Sequence, residues 1–124
     1  MTHALIVEDD ADSAETMAAL ISAQGFTVAI ARTMRDARRQ IVLQLPDLVL
    51  LDLQLPDIDG LDVLGRLRAD ESLHGMPIVV LSATAMPADI AQARARGATD
   101  YWTKPLDFHH FLTGIASLLG QARA

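Results

Sequence analysis

The chain has 124 residues, 51% of them hydrophobic and 21% charged, the balance of one globular domain rather than a disordered segment. Sixteen acidic against ten basic residues leave a formal net charge of −6, and no Lys/Arg stripe with interleaved aromatics is present, which argues against direct nucleic-acid binding. Cysteine is absent, so disulfides, thiolate metal sites and a cysteine nucleophile are excluded.

The chain alternates short apolar runs with longer helical patterns. Ala4-Leu5-Ile6-Val7 is a compact strand that stops at Glu8-Asp9-Asp10. From Ser13 the period changes, with Met17, Leu20 and Ile21 on one helical face and Gly25 as terminator. Residues 26–30 read as a second strand. Thr33 then caps a helix whose exit is marked by Pro46. Leu48-Val49-Leu50-Leu51-Asp52-Leu53 is an apolar run broken by one carboxylate, and Asp57-Ile58-Asp59-Gly60 supplies turn chemistry before Leu61, Leu64 and Leu67 resume helical spacing.

Pro77 leads into the strand Ile78-Val79-Val80-Leu81, and a helix follows over residues 86–96 with Gly97 beyond its end. Tyr101-Trp102-Thr103 forms a short fifth strand before Lys104-Pro105. In the last helix Phe108, Phe111, Leu112, Ile115, Leu118 and Leu119 make one wide apolar stripe. Strands that are apolar throughout are covered on both faces, so five such strand–helix units predict an α/β fold with a doubly wound parallel sheet. The longest apolar run, residues 78–83, is far below a membrane span, and the N-terminus carries no signal-peptide pattern. The chain is expected to be a single cytoplasmic domain over residues 1–124 with no output domain.

In such a sheet, sites form at the carboxyl ends of the strands. The residues that end the apolar runs there are Glu8 and Asp9, Asp52, Ser82 and Lys104. Converging carboxylates repel one another and need a counter-ion, and oxygen ligands without His or Cys point to Mg²⁺ or Mn²⁺. A hydroxyl and a lysine beside that ion complement a phosphoryl group.

This arrangement strongly resembles the receiver domain of two-component response regulators, from Leu5 to Leu119. The resemblance rests on Leu5-Ile6-Val7-Glu8-Asp9-Asp10, on Leu50-Leu51-Asp52-Leu53-Gln54-Leu55-Pro56-Asp57 with Asp59-Gly60, on Pro77-Ile78-Val79-Val80-Leu81-Ser82-Ala83, and on Gly97-Ala98-Thr99-Asp100-Tyr101-Trp102-Thr103-Lys104-Pro105. It implies a flavodoxin-like strand order 2-1-3-4-5. Asp52 would be the phosphoacceptor, Asp9 a direct Mg²⁺ ligand, Glu8 a ligand through water, and the Gln54 backbone carbonyl a further ligand. Ser82 and Lys104 would bind the phosphoryl group, and Tyr101 would be the switch aromatic.

The implied donor is a histidine kinase or histidine phosphotransfer protein. The implied output is a surface of the fourth helix, fifth strand and fifth helix, serving a homodimer or a downstream effector. On this reading the chain is no enzyme beyond its own phosphorylation and slow dephosphorylation. The sequence departs from the family pattern at Glu8, Ser82, Trp102 and Leu106 without losing a functional group.

Other readings fare worse. A phosphate-independent docking or dimerisation platform would not require the acid, hydroxyl and lysine set. An aspartate-nucleophile phosphatase would carry its nucleophile on the first strand with a second Asp two residues on, whereas Gln54 follows Asp52. A Ca²⁺ loop aligned on Gly60 puts Leu55 and Arg66 at ligand positions and fails. His3, His74, His109 and His110 lie at no metal-binding spacing. Arg32, Arg35, Arg38 and Arg39 read as a solvated helix face, with docking of an acidic partner as the second reading.

Overall fold

The computed structural model describes residues 2–54 and 59–123. Leu55, Pro56, Asp57 and Ile58 of the expected motif and turn therefore lie outside the described residues. Five parallel strands, β1 (His3–Val7), β2 (Thr27–Ala31), β3 (Leu48–Asp52), β4 (Ile78–Ser82) and β5 (Asp100–Thr103), form one sheet in the order β2-β1-β3-β4-β5. They alternate with α1 (Ala11–Ala23), α2 (Met34–Leu43), α3 (Gly60–Ala69), α4 (Pro87–Ala95) and α5 (Phe108–Arg123), and a 3-10 turn at Glu71–Leu73 precedes β4. The doubly wound architecture and strand order agree with the expectation.

Alternation along the strands divides the core into two layers. Leu5, Val7, Val49, Leu51, Ile78, Val80 and Tyr101 face α2, α3 and α4. Ala4, Ile6, Leu48, Leu50, Val79, Leu81 and Trp102 face α1 and α5. The central strands β1, β3 and β4 are buried throughout, whereas the edge strand β2 is only half-buried for most of its length.

The helix ends follow local chemistry. Asp10 caps α1 by accepting the Ser13 N–H at 3.0 Å, and Thr33 caps α2 by accepting the Asp36 N–H at 3.0 Å. Gly97, with φ of +111°, closes the turn after α4, where a side chain would also collide with Arg68. The Arg68 guanidinium donates to the carbonyls of Gly97, Leu73 and His74 and to the Thr99 hydroxyl, tying together the loops that enter β4 and β5.

One expectation needs correction. Phe108 does not join the buried stripe of α5: it is 61% exposed, while Phe111, Ile115 and Leu119 are buried. The helix begins at Phe108, and its first turn overhangs a groove instead of resting on the sheet. Trp102 fills the space that α5 leaves at Gly114. A Cβ on Gly114 would lie 2.5 Å from the indole Cζ2, so glycine permits the close approach of helix and ring. Among the described residues no helix is long and apolar enough to cross a membrane.

Candidate functional site

The strand order reverses between β1 and β3, and polar residues collect at the carboxyl ends of the strands flanking that point. The run Glu8-Asp9-Asp10 serves three different purposes. Glu8 continues the β1 ladder, donating its N–H to Ala31 O, and its side chain is fully buried. Asp9 is exposed on the rim, and Asp10 turns away to cap α1. Asp52 ends β3 almost fully buried, and its Oδ1 accepts the Gln54 N–H at 3.0 Å. Glu8, Asp9 and Asp52 each bring one carboxylate oxygen to within 4.8 Å of the others.

Lys104 reaches into this cluster from the end of β5, and its N–H donates to Ser82 O at 2.7 Å, which fixes its backbone beside β4. Its ammonium lies 2.8 Å from Glu8 Oε1 and 3.1 Å from Asp52 Oδ2. Sequence reasoning assigned Lys104 to the phosphoryl group alone. The residue also serves as the internal counter-ion of two carboxylates, because a buried pair of acids needs a cation even in a resting protein.

The electrostatics of the pair are unequal. Burial raises the Glu8 pKa to about 8, reinforced by its hydrogen bond and repulsion with Asp52 and opposed by Lys104. For Asp52 burial also opposes ionisation, but the hydrogen bonds from Glu8, the Gln54 N–H and Lys104 prevail and hold its pKa below the ordinary value. Of the two acids, Glu8 is therefore the readier to hold a proton and Asp52 the readier to ionise. Glu8 Oε2 is buried without a hydrogen-bond partner. An orphaned carboxylate oxygen beside two other acids is a donor set that fits a hard divalent cation.

Ser82, at the end of β4, is buried, and its Oγ accepts the Thr84 N–H at 3.2 Å. Tyr101 is also buried, and its hydroxyl donates to Thr84 O at 2.8 Å. Thr84 therefore joins the hydroxyl next to the acids to the aromatic on β5, while its own hydroxyl bonds Asp89 Oδ2 and accepts the Met86 N–H at the start of α4. Sequence reasoning missed this node: Thr84 joins Ser82 to Tyr101 through its main chain, which leaves no residue-type signal.

Lys104 and Ala83 also line a groove of about 650 Å³ between α1 and the start of α5, with Met17, Leu20, Leu106 and Phe108 on its walls. The structure thus brings Glu8, Asp9, Asp52 and Lys104 into one cluster, with Gln54 hydrogen-bonded to Asp52 and Ser82 and Tyr101 joined through Thr84.

Comparison with known proteins agrees. The response regulator receiver domain family matches residues 4–116. The polar-differentiation response regulator DivK of Brucella ovis is 35% identical over 118 residues, covering 95% of this chain and 96% of that protein. The transcriptional regulatory protein KdpE of Mycobacterium tuberculosis is 38% identical over 93% of this chain, which spans 50% of KdpE. Among solved structures, the receiver domain of a signal transduction histidine kinase from Syntrophus aciditrophicus superposes with a TM-score of 0.88 at 28% identity, covering 98% of this chain and 92% of that one. The BeF3-activated N-terminal receiver domain of Klebsiella pneumoniae RstA gives 0.87 at 28% identity, covering 95% and 98%.

Proposed function

The chain belongs to the response regulator receiver domain family of two-component signalling systems, and from that premise we propose that Asp52 is its phosphoacceptor. The observation that carries this reading is the Lys104 ammonium bridging Glu8 and Asp52, which keeps a buried carboxylate ionised at the reversal point of the sheet. A phosphohistidine on a histidine kinase or phosphotransfer protein is the donor. A carboxylate oxygen of Asp52 forms a bond to phosphorus as the P–N bond breaks, and the imidazole leaves with the electron pair.

Glu8, Asp9, Asp52 and the Gln54 carbonyl would hold Mg²⁺ or Mn²⁺, which supplies neutralisation of the phosphoryl charge. The groove between α1 and α5 shares Lys104 with the acid cluster and is largely apolar on its walls, which suits it to receive the donor's helix. Once Asp52 is an acyl phosphate, Lys104 pairs with the phosphoryl oxygens and the Ser82 hydroxyl turns from the Thr84 N–H to donate to them. Thr84 then loses one of its two main-chain anchors. Tyr101 follows the loop, and the surface of α4, β5 and α5 changes. Ile90 is half-buried and Ala93 is the buried residue of α4, a light anchorage that suits a helix moving between two positions. Homodimerisation or effector binding would read that surface, and the chain's catalysis is confined to its own phosphorylation and slow dephosphorylation.

The test is incubation with acetyl phosphate and Mg²⁺ followed by intact-mass measurement. The parent chain gains one phosphoryl group, and Asp52→Asn does not. Lys104→Ala retains Mg²⁺ binding but loses the activated conformation induced by beryllofluoride. Undiminished labelling of Asp52→Asn would sink the assignment.

A further inference from the structure

A second recognition surface lies on the helices of the other half of the molecule. Between α2 and α3 runs a groove of about 310 Å³ whose floor is apolar, formed by Met34, Ile41, Leu67 and Leu73. Arg38, Arg66 and Asp70 stand on its walls, two cations to one carboxylate, and the carboxylate already has a partner. Among the described residues neither arginine has an ion-pair or hydrogen-bond partner, whereas Arg39 pairs with Asp36, Arg94 with Asp100 and Arg96 with Asp62. Val42, which lines the groove, is 86% exposed, and Leu43 and Leu45, next along the chain, are exposed as well. Exposing a large apolar side chain at the mouth of an apolar groove is the pattern of an interaction site rather than of scattered surface residues.

We propose that this groove docks an acidic amphipathic helix of a partner protein. Two unpaired guanidinium groups above an apolar floor complement carboxylates flanking an apolar stripe, and a cleft between two helices has the shape to receive a third. A second copy of the chain is a poorer occupant: a two-fold contact through this face would crowd the Arg38 and Arg66 guanidinium groups of both copies into one interface. A lipid surface is also disfavoured, because the apolar floor and the arginines line a recessed groove that a flat bilayer face does not enter. Since α2 runs back from the carboxyl end of the sheet, the exposed Val42–Leu45 stretch lies at the end opposite Asp52. The partner can stay bound while the acid cluster is engaged, so the surface serves tethering independently of phosphorylation.

The probe is a dye-labelled helical peptide with leucines at i, i+3 and i+7 and glutamates between, set against a lysine counterpart, titrated into the full chain by fluorescence anisotropy. The glutamate peptide should bind at least about tenfold more tightly than the lysine peptide, with backbone NMR shifts confined to α2, α3 and the turn before β4. Arg38→Glu with Arg66→Glu should weaken binding by at least about tenfold and Val42→Ser severalfold, with unchanged melting midpoints because these side chains pack on nothing essential. Arg38→Gln with Arg66→Gln serves if the reversed charges disturb folding. Equal binding of both peptides, absence of binding, or shifts elsewhere would overturn the proposal. So would sedimentation as a dimer that Arg38→Glu abolishes, or co-sedimentation with phosphatidylglycerol vesicles in place of peptide binding.

Discussion

The Tyr101 hydroxyl donates to the Thr84 carbonyl at 2.8 Å, and the Thr84 N–H donates in turn to Ser82 Oγ. Two residues with no covalent proximity are thus held by opposite sides of one peptide-bonded residue. Removing the hydroxyl in Tyr101→Phe leaves the ring packed but frees the loop. We expect a loss of about 0.5–1.5 kcal/mol, the worth of one such hydrogen bond. Amide exchange should accelerate over residues 83–86 while the core strands stay protected. Unchanged exchange in that loop would show that the bond does not hold it.

Glu8 and Mg²⁺ provide the second prediction. With its pKa raised to about 8 by burial and by Asp52, Glu8 holds a proton to higher pH than an ordinary glutamate in metal-free protein. Binding of a divalent cation favours the carboxylate and should release a proton. Titration calorimetry in buffers of different ionisation enthalpy measures that release, and a buffer-independent heat would refute it. In Asp52→Asn the Glu8 pKa should fall, yet stay above its ordinary value because burial persists. At ten times its dissociation constant Mg²⁺ should stabilise the parent by about 1.4 kcal/mol.

His3 governs a different pH response. It is buried on β1, with Nδ1 2.8 Å from Thr27 Oγ1, and burial lowers its pKa against the opposing charge of Asp47. The unfolded chain therefore takes up the proton first. The stability contributed by neutral His3 is complete above its unfolded value of about 6.5 and is lost as pH falls toward the folded value. His3→Gln has no such titration. The difference in unfolding free energy between parent and variant should shrink as pH drops from about 7 to about 5. A constant difference would mean that His3 charges as readily folded as unfolded.

Gly114 tests the packing of α5. Alanine normally favours a helix by about 1 kcal/mol over glycine. Here its Cβ would meet the Trp102 ring at 2.5 and 2.8 Å, and overpacking of this kind costs about 1–3 kcal/mol. Gly114→Ala should therefore lower the melting midpoint. In combination with Trp102→Leu, which vacates the ring's volume, the same alanine should be neutral or stabilising. A stabilising Gly114→Ala in the parent background would contradict the contact.

The legible parts of the sequence were those in which residue type carries the signal. Asp52 interrupts an apolar run, and a lone buried carboxylate is costly enough to demand a reason. Lys104 precedes a proline at the end of a short apolar strand, and Gly97 marks the end of a helix. Less legible was the division of labour among adjacent acids: Glu8 is buried, Asp9 exposed and Asp10 a helix cap, although the three share one chemistry. That division depends on where β1 stops and α1 begins, a matter of one residue. The link that Thr84 makes between Ser82 and Tyr101 was not legible because it runs through main-chain groups, which every residue has. Phe108 misled because helical spacing identifies a face but not the turn at which the helix first touches the sheet.

The chain contains one tryptophan and one tyrosine, adjacent on β5 and directed to opposite faces of the sheet. Trp102 lies edge-on to Phe111 at 5.9 Å and to His110 at 6.0 Å between their ring centres. This gives the molecule two intrinsic chromophores with separate addresses. Indole emission follows the seating of α5, while tyrosine absorbance follows the loop before α4. Rearrangement around Tyr101 and loosening of the opposite layer can therefore be told apart by wavelength, in unlabelled protein and in real time.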